Sequence, residues 1–317
     1  MKGNPLISII VPVYNAERYL LECLNSLDGQ TYDLIEIIVI NDGSTDNSED
    51  VIYEFKESSS RKIIYYKQEN QGVSVARNQG LSMAKGQYFM FADADDILDK
   101  NAVEILYNNI CCFSADMSVG LVREEREKIV EDHQVKEYFD DQALISYAED
   151  DPIFYSACGK LYSRKYFNNV LFPEGYKVHE DGFFVFECVM KKPKVVTENT
   201  VVYTYRYNQE SASRAEFSEK FLDVIRLAEI KRDRIEKECP ELRKMGKNIW
   251  IKANLTLLHC LCNTEEKQYK TLEKKCISEV VSNKEYYIPI TNSDNRWFFI
   301  ITHRLFGLYK LMFRITH

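Results

Sequence analysis

The sequence has little proline and glycine, no CxxC pair and no excess of positive charge. Its 7 prolines and 12 glycines form no long linker, so we expect the parts of the chain to pack together. Nine scattered cysteines argue against a zinc cluster or a disulfide scaffold and favour a reducing compartment. The net charge of −8 argues against nucleic acid as a partner. No apolar signal segment precedes the first predicted strand, so we expect a cytoplasmic protein.

The sequence does contain a repeating pattern of apolar and amphipathic segments. Between residues 7 and 111, short apolar runs alternate with amphipathic stretches. This alternation predicts βαβ units, and therefore a parallel sheet with right-handed crossovers. We predict Asn15 as the N-cap of the first helix. The predicted strands are 7–13, 36–41, 63–67 and 88–92, and the predicted helices are 17–27, 46–57, 74–85 and 100–111.

Polar or turn-forming residues follow each of the four predicted strands. In a parallel sheet, ligands bind beyond the carboxyl ends of the strands. We therefore expect one ligand site at this edge. The residues that reach it are Pro12, Tyr14 and Asn15, then Asn41 to Ser44, then Gln71 and Gly72, and finally Asp93 to Asp96.

Two carboxylates of this edge, Asp93 and Asp95, have a spacing suited to metal binding. Mg²⁺ and Mn²⁺ prefer oxygen donors, and Mg²⁺ is commonly held by one or two carboxylates together with substrate phosphates. The alternative is that these acids end the strand and cap the next helix. Their position at the predicted ligand edge favours the metal site.

Other charged residues allow two interpretations each. Asp42 either accepts hydrogen bonds from a nucleoside or belongs to a plain turn. Arg77 either binds a phosphate or a base or makes a surface salt bridge, which is the simpler interpretation of this residue alone. Glu180 and Asp181 precede the apolar run 182–189. One of them could take a proton from a hydroxyl, although their spacing alone favours an acidic helix N-terminus.

The C-terminal part of the chain changes character twice. Residues 218–284 have a helical and heavily charged pattern. In residues 296–317, basic residues lie at helical spacing among aromatic and aliphatic ones, and no acidic residue occurs after Asp294. The charges argue against a spanning helix. A basic amphipathic helix on a membrane surface and a helix docked on the protein's own core both remain open.

Five motifs follow one another along the chain: Pro12-Val13-Tyr14-Asn15, Asn41-Asp42-Gly43-Ser44-Thr45-Asp46, Ala76-Arg77-Asn78-x-Gly80, Asp93-Ala94-Asp95-Asp96 and Glu180-Asp181. From residue 5 to residue 214 this order resembles family 2 glycosyltransferases. The resemblance implies an α/β class, the GT-A nucleotide-diphospho-sugar transferase fold, with a Rossmann-like, mostly parallel sheet and a C-terminal helical extension. It implies a catalytic domain at 1–215, with a nucleotide-sugar half at 1–115 and an acceptor half at 116–215, followed by a helical region at 216–317.

The resemblance also implies an inverting enzyme that moves a hexose or N-acetylhexosamine from a UDP-sugar to an acceptor hydroxyl. The acceptor would be a glycan or lipid-linked molecule of bacterial surface polysaccharide or glycolipid biosynthesis, and no covalent sugar–enzyme intermediate is expected. Asp181 would be the catalytic base, and Glu180 would orient the acceptor. Pro12, Tyr14, Asp42 and Arg77 would contact the nucleoside, Asp93 would lie near the ribose and the metal, and Asp95 would bind the Mn²⁺ or Mg²⁺ that bridges the diphosphate.

Some positions follow the family less closely. Lys160 and Arg206 stand where relatives often place donor or acceptor contacts. Ala94 replaces the common serine of the metal loop, and the sequence offers no clear histidine ligand for the metal.

Two other functions make different predictions. A sugar nucleotidyltransferase would carry a glycine-rich, basic loop after the first strand, where this chain has Pro12 to Ala16. A non-catalytic sugar-nucleotide-binding module would lack the metal or base carboxylates, whereas Asp93, Asp95 and Asp181 are present.

Overall fold

The computed structural model describes residues 4–127, 132–206, 217–263, 269–289, 298–303 and 305–307. The strands in this part of the chain are β1 (Ile7–Val13), β2 (Ile35–Asn41), β3 (Lys62–Lys67), β4 (Tyr88–Phe91), β5 (Ile97–Leu98), β6 (Met117–Glu124), β7 (Val135–Tyr138), β8 (Lys160–Ser163) and β9 (Val195–Tyr205). The helices are α1 (Glu17–Asp28), α2 (Ser48–Ser58), α3 (Val73–Met83), α4 (Ala102–Phe113), α5 (Gln142–Ala148), α6 (Arg164–Phe167), α7 (Glu180–Val189), α8 (Leu222–Glu238), α9 (Arg243–Cys260) and α10 (Lys270–Ser282).

The strands belong to one mixed sheet with the order β3-β2-β1-β4-β8-β6-β9-β5, and β7 also pairs with β9. The N-terminal half, β3-β2-β1-β4, is parallel, which confirms the prediction from the alternating pattern. β8 then pairs antiparallel with both β4 and β6. The chain therefore has the predicted α/β fold.

β1 and β2 form the centre of the parallel half, and every one of their residues is buried. Their isoleucines and valines branch at Cβ and suit a pleated strand that is covered on both faces. The buried polar residues Ser8 and Glu36 satisfy each other across this pair, since Ser8 Oγ donates to Glu36 Oε1 at 2.8 Å. Lys62 Nζ lies 2.8 Å from the second carboxylate oxygen of Glu36. The hydrogen bond and the ion pair thus offset the cost of burying the negative charge of Glu36 inside the sheet.

The predicted N-cap of the first helix is wrong. Asn15 has a positive φ of 49°, and α1 begins at Glu17 after Ala16. The first amide group of α1 is bound by the loop that follows β2, because Asp46 Oδ2 accepts from Glu17 N at 3.0 Å. Asn15 instead accepts a hydrogen bond from Thr45 N at 2.8 Å. A distant segment supplies the cap, so the loops after β1 and β2 hold each other in place.

Gly80, in the motif that begins at Ala76, lies where α3 packs closely against β1. A Cβ atom at Gly80 would lie 2.3 Å from Cγ2 of Ile10, far inside the contact distance of two carbon atoms. Because only glycine leaves room for β1 at this point, α3 packs directly against the central strand. This close approach fixes the start of α3, and with it Arg77, relative to the sheet.

The described chain divides into two compact units. The first consists of the described residues within 1–143, 153–175 and 180–208, and the second consists of the described residues within 144–152, 176–179 and 209–317. In the second unit α9 packs on α8 and α10, which gives the predicted helical C-terminal region. The predicted domain boundary at residue 215 falls outside the described residues, so it stays a prediction.

The predicted amphipathic helix at 296–317 is described only in part. Residues 296, 297, 304 and 308–317 lie outside the described residues. In the described part, Ile301 and Phe306 are buried in an apolar cluster of the second unit. This packing favours the core-docked alternative for these residues. No helix in the described ranges is long and apolar enough to cross a bilayer.

We expect Gly80→Ala to lower the free energy of unfolding by about 1–3 kcal/mol, because the added methyl group overpacks the contact with Ile10. Ser82→Ala, on the exposed side of the same helix, is the matched control and should change it by less than about 0.5 kcal/mol. Urea unfolding of both variants measures the difference. Equal stabilities would contradict the packing assigned to Gly80.

Candidate active site

The carboxyl ends of the four parallel strands lie side by side. Val13 at the end of β1 is in register with Asn41 at the end of β2, which in turn is in register with Lys67 of β3. The residues after each strand therefore share one edge, as the sequence predicts. Pro12 lies inside β1 and is buried, whereas Tyr14 just beyond the strand is 53% exposed. Tyr14 thus offers an aromatic ring at this edge.

Asp42 is buried and holds the loop that leads into α3. Its Oδ1 accepts from Gln68 Nε2 at 2.7 Å and from Gln71 N at 2.9 Å, and its Oδ2 accepts from Gly72 N at 2.8 Å. A carboxylate with three such donors orders the loop in front of the helix. The predicted contact of Asp42 with a nucleoside stays a prediction.

Arg77 lies at the centre of a cluster of carboxylates and is only 3% exposed. Its Nη2 lies 2.8 Å from Oδ1 of Asp93, and its Nη1 lies 2.5 Å from Oδ1 of Asp181 and 3.2 Å from Oε1 of Glu180. The surface salt bridge considered for Arg77 is therefore wrong, because the ion pairs are buried. The guanidinium also lies over the ring of Phe172, 5.0 Å from its centroid. One arginine thus joins the loop after β4 to the first turn of α7.

Burial and the neighbouring charges shift the pKa values of the groups in this cluster. Burial disfavours a charged Arg77, but the carboxylates of Asp181 and Asp93 hold its pKa well above the usual value. Burial raises the pKa of Asp181, and the Arg77 guanidinium acts in the opposite direction. Burial, followed by the charge of Asp181, raises the pKa of Glu180 to about 7. Glu180 is therefore a carboxyl group of α7 that titrates near neutrality.

The loop after β4 is held by one carboxylate and leaves two others at the edge. Asp96 is buried, where its Oδ2 accepts from Tyr203 Oη at 2.9 Å and its Oδ1 from Arg206 N at 2.9 Å. Burial, and then the charge of Asp93, raises the pKa of Asp96 to about 8. Asp93 and Asp95 are only partly buried. Asp96 thus anchors the loop, and Asp93 and Asp95 are the carboxylates that remain accessible.

Two weaker expectations concern Lys160 and Arg206. Lys160 is buried, and its Nζ donates to the carbonyl oxygen of Ser156 at 2.5 Å. Arg206 Nε donates to the carbonyl oxygen of Asp95 at 3.0 Å, and its guanidinium pairs with Glu22. Both side chains thus hold loops of the site. Their contacts with donor or acceptor stay predictions.

Sequence reasoning missed Ser156 and Tyr203. Ser156 Oγ lies 3.4 Å from Oδ2 of Asp181, and Tyr203 Oη accepts a hydrogen bond from Asp93 N at 2.9 Å. No sequence signal marks them, because Tyr203 is one of 21 tyrosines and Ser156 belongs to no motif. Both become visible only when the sheet brings distant segments together.

Asp93 and Asp95, the predicted metal ligands, have suitable oxygen donors but do not form a closed cage. Within the described ranges, no three His, Cys, Asp or Glu side chains converge in a way that would hold an ion by themselves. Two accessible carboxylates fit a hard cation whose other ligands are waters and substrate phosphates. The oxygen donors of Asp93 and Asp95 therefore fit Mn²⁺ or Mg²⁺.

Comparison with known proteins gives a consistent result. The model of the family described as "Glycosyl transferase family 2" matches residues 8–171. Glycosyltransferase GlyA of Streptococcus pneumoniae is 38% identical over 236 residues, which are 69% of this chain and 33% of GlyA. The minor teichoic acid biosynthesis protein GgaB of Bacillus subtilis is 28% identical over 65% of this chain and 23% of its own length. The chain thus spans a third or less of these curated relatives.

A solved structure shares the fold. S. aureus TarS, residues 1–349 in complex with UDP-GlcNAc, superposes with a TM-score of 0.70 at 18% identity. The superposition covers 96% of this chain and 89% of that one. At this identity the likeness shows the fold, which is the GT-A fold expected from the motifs.

The raised pKa of Glu180 predicts a pH-dependent stability. Its pKa is about 7 in the folded protein and ordinarily 4.5, so the stability it contributes is full below the lower value and is lost as the pH rises through the higher one. We expect the melting temperature of the wild type, minus that of Glu180→Gln, to fall between about pH 5 and pH 8.

The measurement uses thermal unfolding without divalent cations, with the exposed Glu57→Gln as a control for a lost glutamate charge. A difference for Glu180→Gln that stays constant or rises with pH would contradict the assigned environment of Glu180.

Proposed function

The chain belongs to glycosyltransferase family 2, and from this premise we propose that it moves a hexose or N-acetylhexosamine from a UDP-sugar to an acceptor hydroxyl with inversion. The observation that carries the proposal is the pair of contacts by which Arg77 joins Asp93 to Asp181. Asp93 belongs to the loop where a cation-bound diphosphate is expected, and Asp181 is the expected base. A displacement reaction needs both groups around one reacting carbon.

In the proposed reaction, the acceptor oxygen attacks the anomeric carbon while the bond from that carbon to the β-phosphate oxygen breaks. The proton of the acceptor hydroxyl passes to the carboxylate of Asp181, and UDP leaves with the electron pair of the broken bond. Glu180, the preceding residue in α7, orients the acceptor. Pro12, Tyr14 and Asp42 border the nucleoside at the ends of β1 and β2. No covalent sugar–enzyme intermediate is formed.

We propose that Asp93 and Asp95 hold Mn²⁺ or Mg²⁺ near the ribose and the diphosphate. Charge balance supports this assignment, because the single positive charge of Arg77 faces three carboxylates. The excess negative charge would repel a diphosphate. Arg77 binds Oδ1 of Asp93, so Asp93 would contribute its other oxygen, Oδ2, to the cation. When bound, the cation neutralises the charge that builds on the leaving group.

The relatives suggest the substrates to test first. TarS is described in complex with UDP-GlcNAc, so UDP-N-acetylhexosamines are the first donors. GgaB is named for minor teichoic acid biosynthesis, which supports a bacterial surface glycan or lipid-linked glycan as the acceptor. The nine free cysteines support a cytoplasmic location. Contact of residues 296–317 with the inner face of the membrane stays the alternative to docking on the core.

The other two functions have less support. A nucleotidyltransferase needs a glycine-rich loop after the first strand, whereas β1 is followed by Tyr14 and then by Asn15, which is hydrogen-bonded to the loop after β2. A non-catalytic sugar-nucleotide-binding module would not need a buried cluster that joins Asp93 to Asp181. Glycosyl transfer is therefore the function that the site supports best.

We expect Asp95→Ala to abolish metal-dependent transfer while the fold survives, because the variant loses a proposed ligand of the cation. A panel of nucleotide sugars, assayed for Mn²⁺-dependent hydrolysis and transfer, identifies the donor and measures the loss. The exposed Asp33→Ala is the matched control and should retain activity. Full activity of Asp95→Ala would refute the metal assignment.

Asp181→Asn removes the proposed base but keeps the size of the side chain. We expect unchanged UDP binding and a turnover lower by about 10²–10⁴-fold, the usual contribution of a general base. Calorimetric titration with UDP and Mn²⁺ gives the binding, and initial rates give the turnover. A rate near that of the wild type would show that the base lies elsewhere.

A further inference from the structure

Arg77 connects segments that are far apart in the sequence. It lies on α3, 16 residues before Asp93 and 104 residues before Asp181. Both of its terminal nitrogens bind carboxylates, and the ring of Phe172 lies against the guanidinium. A planar guanidinium that is held on its face and at both ends has one orientation. The carboxylates that it binds are therefore fixed relative to one another.

The contact with Asp181 distinguishes the two oxygens of this carboxylate. Oδ1 is bound by Nη1 of Arg77 at 2.5 Å. Oδ2 has Ser156 Oγ at 3.4 Å, which is longer than the usual range of a hydroxyl hydrogen bond. The carboxylate also accepts a hydrogen bond from the backbone N–H of Ala157. The side chain of Asp181 is 21% exposed. Arg77 thus binds Oδ1 and leaves Oδ2 as the oxygen that can face a substrate hydroxyl.

The same contacts leave Arg77 poorly placed to bind a nucleoside. Its side chain is almost fully buried, and its Nε is buried without a hydrogen-bond partner among the described residues. To reach a ligand it would have to leave carboxylates that would then be buried without a cation, which is strongly unfavourable. This geometry disagrees with the nucleoside contact that the family resemblance implies for Arg77.

From these observations we infer that Arg77 is a positioning residue for the proposed base: it holds Asp181 through Oδ1 so that Oδ2 receives the proton of the acceptor hydroxyl. The inference rests on the proposed function. As the acceptor oxygen bonds to the anomeric carbon, its proton moves to Oδ2, and the sugar–phosphate bond breaks with its electron pair passing to UDP. Through Nη2, the same guanidinium sets the base at a fixed place relative to Asp93.

Lysine at position 77 tests this role, because it keeps the positive charge but cannot bind Asp93 and Asp181 at the same time through a planar fork. We expect Arg77→Lys to lower kcat by about a hundredfold, the scale of a misplaced reacting group. The affinity for UDP with Mn²⁺ and the donor KM should change much less than kcat. A nucleoside contact predicts the reverse, with weaker UDP binding and a retained kcat.

Arg61→Met is the matched control for the loss of an arginine network. Its guanidinium donates to the carbonyl oxygens of Gln30 and Tyr32 and touches none of the carboxylates of the site. This variant should lose thermal stability and keep its kcat per folded molecule. A similar fall in kcat for Arg61→Met would mean that any lost arginine slows the enzyme, and it would overturn the specific role of Arg77.

A crystal structure of Arg77→Lys gives a readout that does not depend on activity. We expect the carboxylate of Asp181 to rotate away from its wild-type orientation. An unchanged Asp181 would overturn the inference even if transfer by the wild type is established. A wild type that is inactive with every nucleotide sugar would instead refute the proposed function, and the base role would fall with it.

Discussion

The ion pairs of Arg77 are the interaction on which the site depends. They form where little water screens the charges, and removing one partner of such a buried pair typically costs about 3–5 kcal/mol. The pairs also tie three parts of the fold together: α3, the loop after β4 and the first turn of α7. Gly80, which lets α3 lie directly on β1, places this arginine at the depth where it reaches all of them.

The carboxylates at this edge have different roles, which follow from their hydrogen bonds. Asp42 and Asp96 are buried, accept hydrogen bonds from the protein and hold loops, whereas Asp93 and Asp95 remain at the edge. Asp181 shares features of both groups, because Arg77 binds one of its carboxylate oxygens and not the other. Acidic residues that lie close together in the sequence thus have two roles. The buried ones hold loops, and the more exposed ones are available to a ligand.

Much of the fold could be predicted from the sequence because its signals are local. The branched residues of β1 and β2 and the polar residues after each strand predict a parallel sheet with one ligand edge, and this sheet is observed. Asn15 was predicted wrongly because the cap of α1 comes from Asp46, in a different loop. No periodic pattern in the sequence predicts the pairing of Arg77 with Asp181, since the two residues lie 104 positions apart. Ser156 and Tyr203 were missed for the same reason.

The proposed function requires a single site in which a nucleotide sugar lies between the loop after β4 and the start of α7. A crystal structure of the protein with UDP and Mn²⁺ tests this most directly. We expect the cation between Asp95 and the diphosphate, the uridine at the ends of β1 and β2, and Asp181 facing the β-phosphate. A nucleotide bound at another surface, or a cation without contact to Asp93 or Asp95, would contradict it.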